Sequence, residues 1–166
     1  MDKQIYFLRQ SIKGKVADMI FDRIMKQDPN HTYTVLPFGY ENTIPELAQY
    51  QDRIKQQSVL SAIRRSPDFV LINDKDKSEA IFVEVKYRKY LNLETILKWA
   101  NLIHESWPDT YLFLATQNGF YFDSCKQIID QKGDMKQLDQ EIISKKIQDE
   151  YLGVLKEFIK VEEKNH

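Results

Sequence analysis

Three charged residues stand where a soluble chain seldom places them. Residues 66–89 read SPDFVLINDKDKSEAIFVEVKYRK, two apolar runs joined by a charged loop. Asp68 opens the first run, and Glu84 and Lys86 fall inside the second. Side chains alternate across a strand, so Glu84 and Lys86 share one face while Val83, Val85 and Tyr87 share the other. Charges are seldom fully buried without a partner, and isolating one in apolar surroundings is costly. A divalent cation is the natural reason to gather two carboxylates and an ammonium on neighbouring strands.

The elements that must hold these residues follow from hydrophobic period. The central stretch reads as strands over about 68–73 and 80–87, joined by a polar, solvated turn. Ahead of it, Ile5, Leu8, Ile12, Val16, Met19, Ile20 and Ile24 predict a helix over about 3–27. Gly14 is a weak point that could divide this helix. Lys15, Asp18, Asp22 and Lys26 form its polar stripe, and Asp28-Pro29-Asn30 ends it. Residues 31–40 read as a strand, with Pro37 marking an edge or an end. A helical segment over about 43–65 follows, made locally basic by Arg53, Lys55, Arg64 and Arg65.

After the central stretch, Leu93, Ile96, Leu97, Ala100, Ile103 and Trp107 predict an amphipathic helix over 93–107. YLFLAT (111–116) is nearly continuous apolar, as a strand buried on both faces would be. Asn118-Gly119 turns the chain into a further strand at 120–122. Leu138, Ile142, Ile147, Tyr151, Val154, Phe158 and Val161 predict a last helix over about 135–163, interrupted at Gly153, whose stripe packs on the core or on a second copy of the chain. This order predicts an α/β fold, a central mixed sheet flanked by helices with an extra C-terminal helix.

Composition sets outer bounds. At 166 residues the chain fits one domain, with a core at about 10–123 and a helical extension at about 124–166. Hydrophobic residues make up 42%, so a core is available. A formal net charge of −1 does not announce a nucleic-acid binder, but a local basic patch is what decides that. The single cysteine, Cys125, rules out an internal disulfide, and packing is its expected role. His31, His104 and His166 lack ligand spacing, and Tyr87, Trp99 and Trp107 are expected to pack in the core or at an interface. No stretch approaches the ~20 apolar residues of a membrane helix, and the opening MDKQIYFLRQ has no signal-peptide character. A cytoplasmic protein without a membrane partner is expected.

Pro67-Asp68, a spacer, and Glu84-Val85-Lys86 together resemble the PD-(D/E)xK signature of the restriction-endonuclease-like nuclease superfamily. The likeness covers roughly residues 14–122, and the family core (a helix, three strands, a helix and a strand) agrees with the element order above apart from the extra segment at 43–65. The resemblance implies a restriction-endonuclease-like core and a metal-dependent endonuclease that hydrolyses phosphodiester bonds in DNA. It implies Mg²⁺ or Mn²⁺ held by Asp68, Glu84 and the main-chain carbonyl of Val85, with Lys86 beside the attacking water. The family often carries an acid in its first helix four positions after a glycine. Gly14 and Asp18 fit that spacing, though Glu is commoner there, and Asp22 is the alternative. Gln117 is a candidate auxiliary polar residue, and Arg64, Arg65, Arg88 and Lys89 are candidates for nucleic-acid contact. A homodimer through the C-terminal helix is a further expectation. Two alternatives share the fold: a non-catalytic module binding nucleic acid or protein, and a cleavage subunit that needs a recognition partner.

Overall fold

The computed structural model describes residues 3–29, 32–40, 63 and 65–164. The expected helix over 43–65 and the candidate Arg64 therefore fall almost wholly outside the described residues. Among those described, the order is α1 (Lys3–Met25), β1 (Tyr33–Pro37), β2 (Phe69–Asn73), β3 (Ala80–Tyr87), α2 (Leu93–Ser106), β4 (Thr110–Thr116), β5 (Gly119–Ser124), α3 (Cys125–Asp130) and α4 (Lys145–Lys164). The fold is α/β, with one five-stranded mixed sheet in the order β1-β2-β3-β4-β5. Only β3 and β4 run parallel. Parallel neighbours need a crossover, and α2 supplies it. Pro37 is the last residue of the edge strand, where a missing N–H costs the ladder nothing.

The register assigns each side chain to a face. Val85 lies opposite Phe113, and Phe69 opposite Val83. These residues join Leu71, Ala115 and Phe120 against Ala17, Phe21 and Ile24 of α1 and Leu152, Leu155 and Ile159 of α4 in the larger core. Phe21 sits at its centre, 5.0 Å from both the Phe69 and Phe113 rings. The other face carries Leu112 and Leu114, packed with Ile96 and Ala100 of α2 and Cys125 and Ile128 of α3. Continuous burial of β4 from Leu112 to Thr116 matches its apolar sequence, because helices cover both faces.

Several expectations need correction. α1 runs unbroken through Gly14, and α4 runs unbroken through Gly153. One glycine costs a helix only about 1 kcal/mol, and the packing of Phe21, Ile24, Leu155 and Ile159 outweighs that. Residues 135–144 are not helical. Lys136 and Leu138 bond back to β5, through Phe122 N to Lys136 O (3.0 Å) and Leu138 N to Phe120 O (2.9 Å), and α4 starts only at Lys145. The short α3, capped by the Ser124 side chain, went unforeseen because six residues carry too little periodicity. Of the expected C-terminal stripe, Leu138 is buried and Ile142, Ile147, Tyr151 and Phe158 pack partly buried against the core, but the most buried residues of α4 lie beside them. Leu152, Leu155 and Ile159 are buried, whereas Val154 is 57% exposed. On α1, Ala17, Ile20, Phe21 and Ile24 face the core, whereas Leu8, Ile12 and Met19 (67% exposed) do not. The true stripes keep the helical period, but each borders other apolar residues that sequence alone cannot separate from them.

One glycine is required by its surroundings. After α3 the chain passes through Lys132 (φ 56°) and Gly133 (φ 96°), and the Gly133 N–H donates to the Ile128 carbonyl at 2.8 Å. A Cβ on Gly133 would stand 2.2 Å from the Leu93 carbonyl oxygen at the start of α2. Gly133→Ala is therefore expected to lower stability by about 2–4 kcal/mol, from strain and overpacking together. Urea denaturation would check it; a loss under about 0.5 kcal/mol, the range of an ordinary surface substitution, would contradict the tight approach.

Candidate functional site

The site begins where two strands part. β2 and β3 pair from Ile72 opposite Ala80 to Phe69 opposite Val83. Among the described residues, β3 then continues to Tyr87 with only β4 alongside, Glu84 facing Leu112 and Tyr87 facing Ala115. Pro67 has no N–H and cannot extend the ladder on the β2 side. The Asp68 side chain takes over: its Oδ2 accepts the Val85 N–H at 2.8 Å. The Asp68 main-chain oxygen accepts from Phe38 N (2.8 Å) and Gly39 N (3.2 Å). Asp68 is thus fixed from both ends at the fork of the sheet.

Glu84 and Lys86 project from β3 on the face of Leu112 and Leu114. The Lys86 ammonium donates to Glu84 Oε1 in an ion pair, and the Glu84 side chain is only 15% exposed. Burial, and next the nearby Asp68 carboxylate, push Glu84 up to about 7 against the opposing pull of Lys86. For Lys86, burial works against the charge. The carboxylates of Glu84, Asp68 and Asp18 outweigh that effect and hold the ammonium above its usual range. Lys86 therefore remains a cation at neutral pH.

α1 completes the arrangement by lying across β3. A cleft of about 300 Å³ opens between them, lined by Gly14, Lys15 and Asp18 from α1 and by Asp68, Val85 and Lys86. Asp18 lies 3.9 Å from the Lys15 ammonium, a long ion pair. Asp22, one turn on, is paired with exposed Lys26 at 2.6 Å and does not line the cleft. Of the two candidate helix acids, the fold brings Asp18 to the site. A Cβ on Gly14 would meet nothing within 4 Å, so the wall here is open space.

The remaining candidates divide. Arg88 and Lys89 lie at the end of β3 in an adjoining groove that also contains Gln10, Lys13 and Trp99. Arg65 is exposed and does not line the cleft. Gln117 sits outside the cleft too, and its N–H donates to the Lys89 carbonyl at 3.2 Å. Cys125 is buried as expected, its thiol pushed up to about 12 by burial with Glu84 and Asp123 adding to it, which makes it unreactive. Sequence reasoning missed Gln10 and Lys13. For Gln10 the signal was present: Gln10, Gly14 and Asp18 recur every four residues, on one face of a helix.

Among the described residues, no three His, Cys, Asp or Glu side chains converge as a ready-made metal cage. The cleft instead offers the carboxylates of Asp68 and Asp18, with Glu84 beside them engaged by Lys86. A few carboxylate oxygens with room for water and substrate is a donor set suited to Mg²⁺, which keeps several waters. No family profile, curated protein or solved structure matches this chain.

The Glu84 shift makes a stability prediction. The folded chain holds its proton to about pH 7, whereas an ordinary glutamate releases it near 4.5. Over that interval the folded state binds more protons, so Glu84 makes stability fall as pH rises. Asp68→Asn keeps an acceptor for Val85 N–H but removes a charge that raises Glu84. The Glu84 midpoint, followed by carboxyl carbon NMR, should then move below 7, and the pH dependence of stability between 4.5 and 7 should flatten. An unmoved midpoint would show that the two carboxylates do not interact.

Proposed function

We propose that this protein is a metal-dependent nuclease with a restriction-endonuclease-like core, hydrolysing phosphodiester bonds in DNA. The observation that carries the proposal is the meeting of Asp18, Asp68 and Lys86 in one cleft at the fork between β2 and β3. The five-stranded mixed sheet with helices on both faces is compatible with such a core. The order of Pro67-Asp68 and Glu84-Val85-Lys86 along it supports the same assignment.

Asp68, Glu84 and Asp18 would hold Mg²⁺ or Mn²⁺, with the Val85 carbonyl as a further oxygen donor. When bound, such an ion polarises the phosphate and lowers the pKa of a bound water. Asp68 is held in place by the Val85 N–H, so one of its oxygens has a fixed direction. Lys86 stays protonated and so serves as a fixed positive charge, not as a proton acceptor. Its ammonium orients the attacking water and offsets the negative charge that grows on the phosphate oxygens. Glu84 steers that ammonium through their ion pair.

Incubation of the purified chain with plasmid and oligonucleotide DNA tests the assignment. Cleavage is expected with Mg²⁺ or Mn²⁺ and not with EDTA. Lys86→Ala should lower the rate by about 10²–10³, the usual loss for one charge-stabilising group, and Asp68→Asn by at least as much. Cleavage that survives both substitutions would belong to another site or another protein. A non-catalytic nucleic-acid-binding module is the alternative, favoured by the closed ion pair between Lys86 and Glu84. DNA binding in gel shift without metal-dependent cutting would select it.

A further inference from the structure

The cleft, lined by two carboxylates and two lysines, continues into a second cavity whose charged lining residues, among those described, are all basic. A groove of about 410 Å³ adjoins it, and Gln10 and Tyr87 line both. The other lining residues include Lys13, Arg88, Lys89 and Trp99, with no acidic residue among the described ones. The two walls diverge from the cleft in the same direction. Going back along α1, Asp18 is followed by Gly14, Lys13 and Gln10; going forward along β3 and past its end, Lys86 is followed by Tyr87, Arg88 and Lys89. A chain of phosphates with one member at Lys86 would meet these cations next.

Arg88 is built as a fixed ligand rather than a loose surface charge. Its main-chain N–H donates to the Ala115 carbonyl at 3.0 Å, and Gln117 N–H holds the Lys89 carbonyl at 3.2 Å, so the end of β3 is fastened to β4. The guanidinium donates to the Thr95 hydroxyl at 3.1 Å and lies 5.5 Å from the centre of the Trp99 ring. An arginine stacked on an aromatic face loses little freedom on binding and keeps further donors for an anion. Trp99, with its ring beneath Arg88, acts as a positioning residue rather than as a platform for a base.

We propose that this groove binds the sugar–phosphate backbone of the nucleic-acid strand next to the bond that is cut, with Lys13 and Arg88 holding phosphates from opposite walls. The proposal rests on the nuclease reading for the position of the cut, but the binding itself does not need the metal. Contacts of this kind fix register without reading sequence. Affinity should then depend steeply on salt and little on base composition.

Fluorescence anisotropy with labelled oligonucleotides of two unrelated sequences, in EDTA, tests the groove directly. Lys13→Ala and Arg88→Ala are each expected to raise Kd about 5–10-fold for both sequences, to act nearly additively, and to lower the slope of log Kd against log salt by roughly one each. Arg88→Lys should recover only part of the loss, and Trp99→Leu should resemble it if the ring positions Arg88. Lys13→Glu, a charge reversal on the same helix, should weaken binding further, while Lys126→Ala on α3 should bind as the parent does. Parent affinity and an unchanged salt slope in the Lys13 and Arg88 variants would overturn the proposal, as would the absence of binding by the parent. Failure of the nuclease reading looks different: the groove variants lose affinity, yet neither the parent nor Asp68→Asn cuts DNA with Mg²⁺ or Mn²⁺.

Discussion

The Asp68 carboxylate accepts the Val85 N–H where β2 ends and β3 goes on with one neighbour fewer. Sheets normally satisfy every buried N–H through the next strand, and here a side chain does that work. The exchange lets two strands separate without leaving a donor unmet. It also pins a carboxylate at the mouth of the resulting gap. α1 crosses the same gap, anchored by Phe21 between Phe69 and Phe113, and so Asp18 reaches the cleft. The site is a consequence of how the sheet forks, and the packing of one aromatic ring decides what faces it.

The arrangement carries an electrostatic cost that the fold contains but does not remove. Glu84 is nearly buried, close to Asp68, and answered by a single lysine. Breaking a buried pair by deleting one partner usually costs about 3–5 kcal/mol. Here Glu84 can take up a proton near neutrality instead, which limits the loss. Groups poised in this way cluster at functional sites, because their chemistry needs a charge that the surroundings hold uneasily. A cation in the cleft would relieve the repulsion and draw Glu84 back toward the ordinary carboxylate range.

Much of this was legible in the sequence. Strand alternation placed Glu84 and Lys86 on one face, the apolar run of β4 announced its burial, and Pro37 announced an edge. The family resemblance put forward Asp18, four residues after Gly14, with Asp22 as the alternative, and of the two the fold brings Asp18 to the cleft. What could not be read were features set by tertiary contact. Residues 135–144 carry helical spacing but bond to β5, because Lys136 and Leu138 meet its open edge. The predicted stripes of α1 and α4 reach the core in part, through Ile20, Ile24, Tyr151 and Phe158, but the apolar neighbours Ala17, Phe21, Leu155 and Ile159 are buried beside them while Met19 and Val154 are exposed, a choice that periodicity alone does not make. Trp99 was expected to pack in the core or at an interface; it does pack against the α2–α3 core, and only the fold shows its ring beneath Arg88 as well.

Whether the fork between β2 and β3 takes a divalent metal, as proposed, can be seen in a crystal soaked in Mn²⁺. Anomalous scattering should show one ion in the cleft, bonded to the Asp68 carboxylate and lost in Asp68→Asn. An empty cleft at saturating Mn²⁺, with the Glu84–Lys86 pair undisturbed, would contradict the proposal.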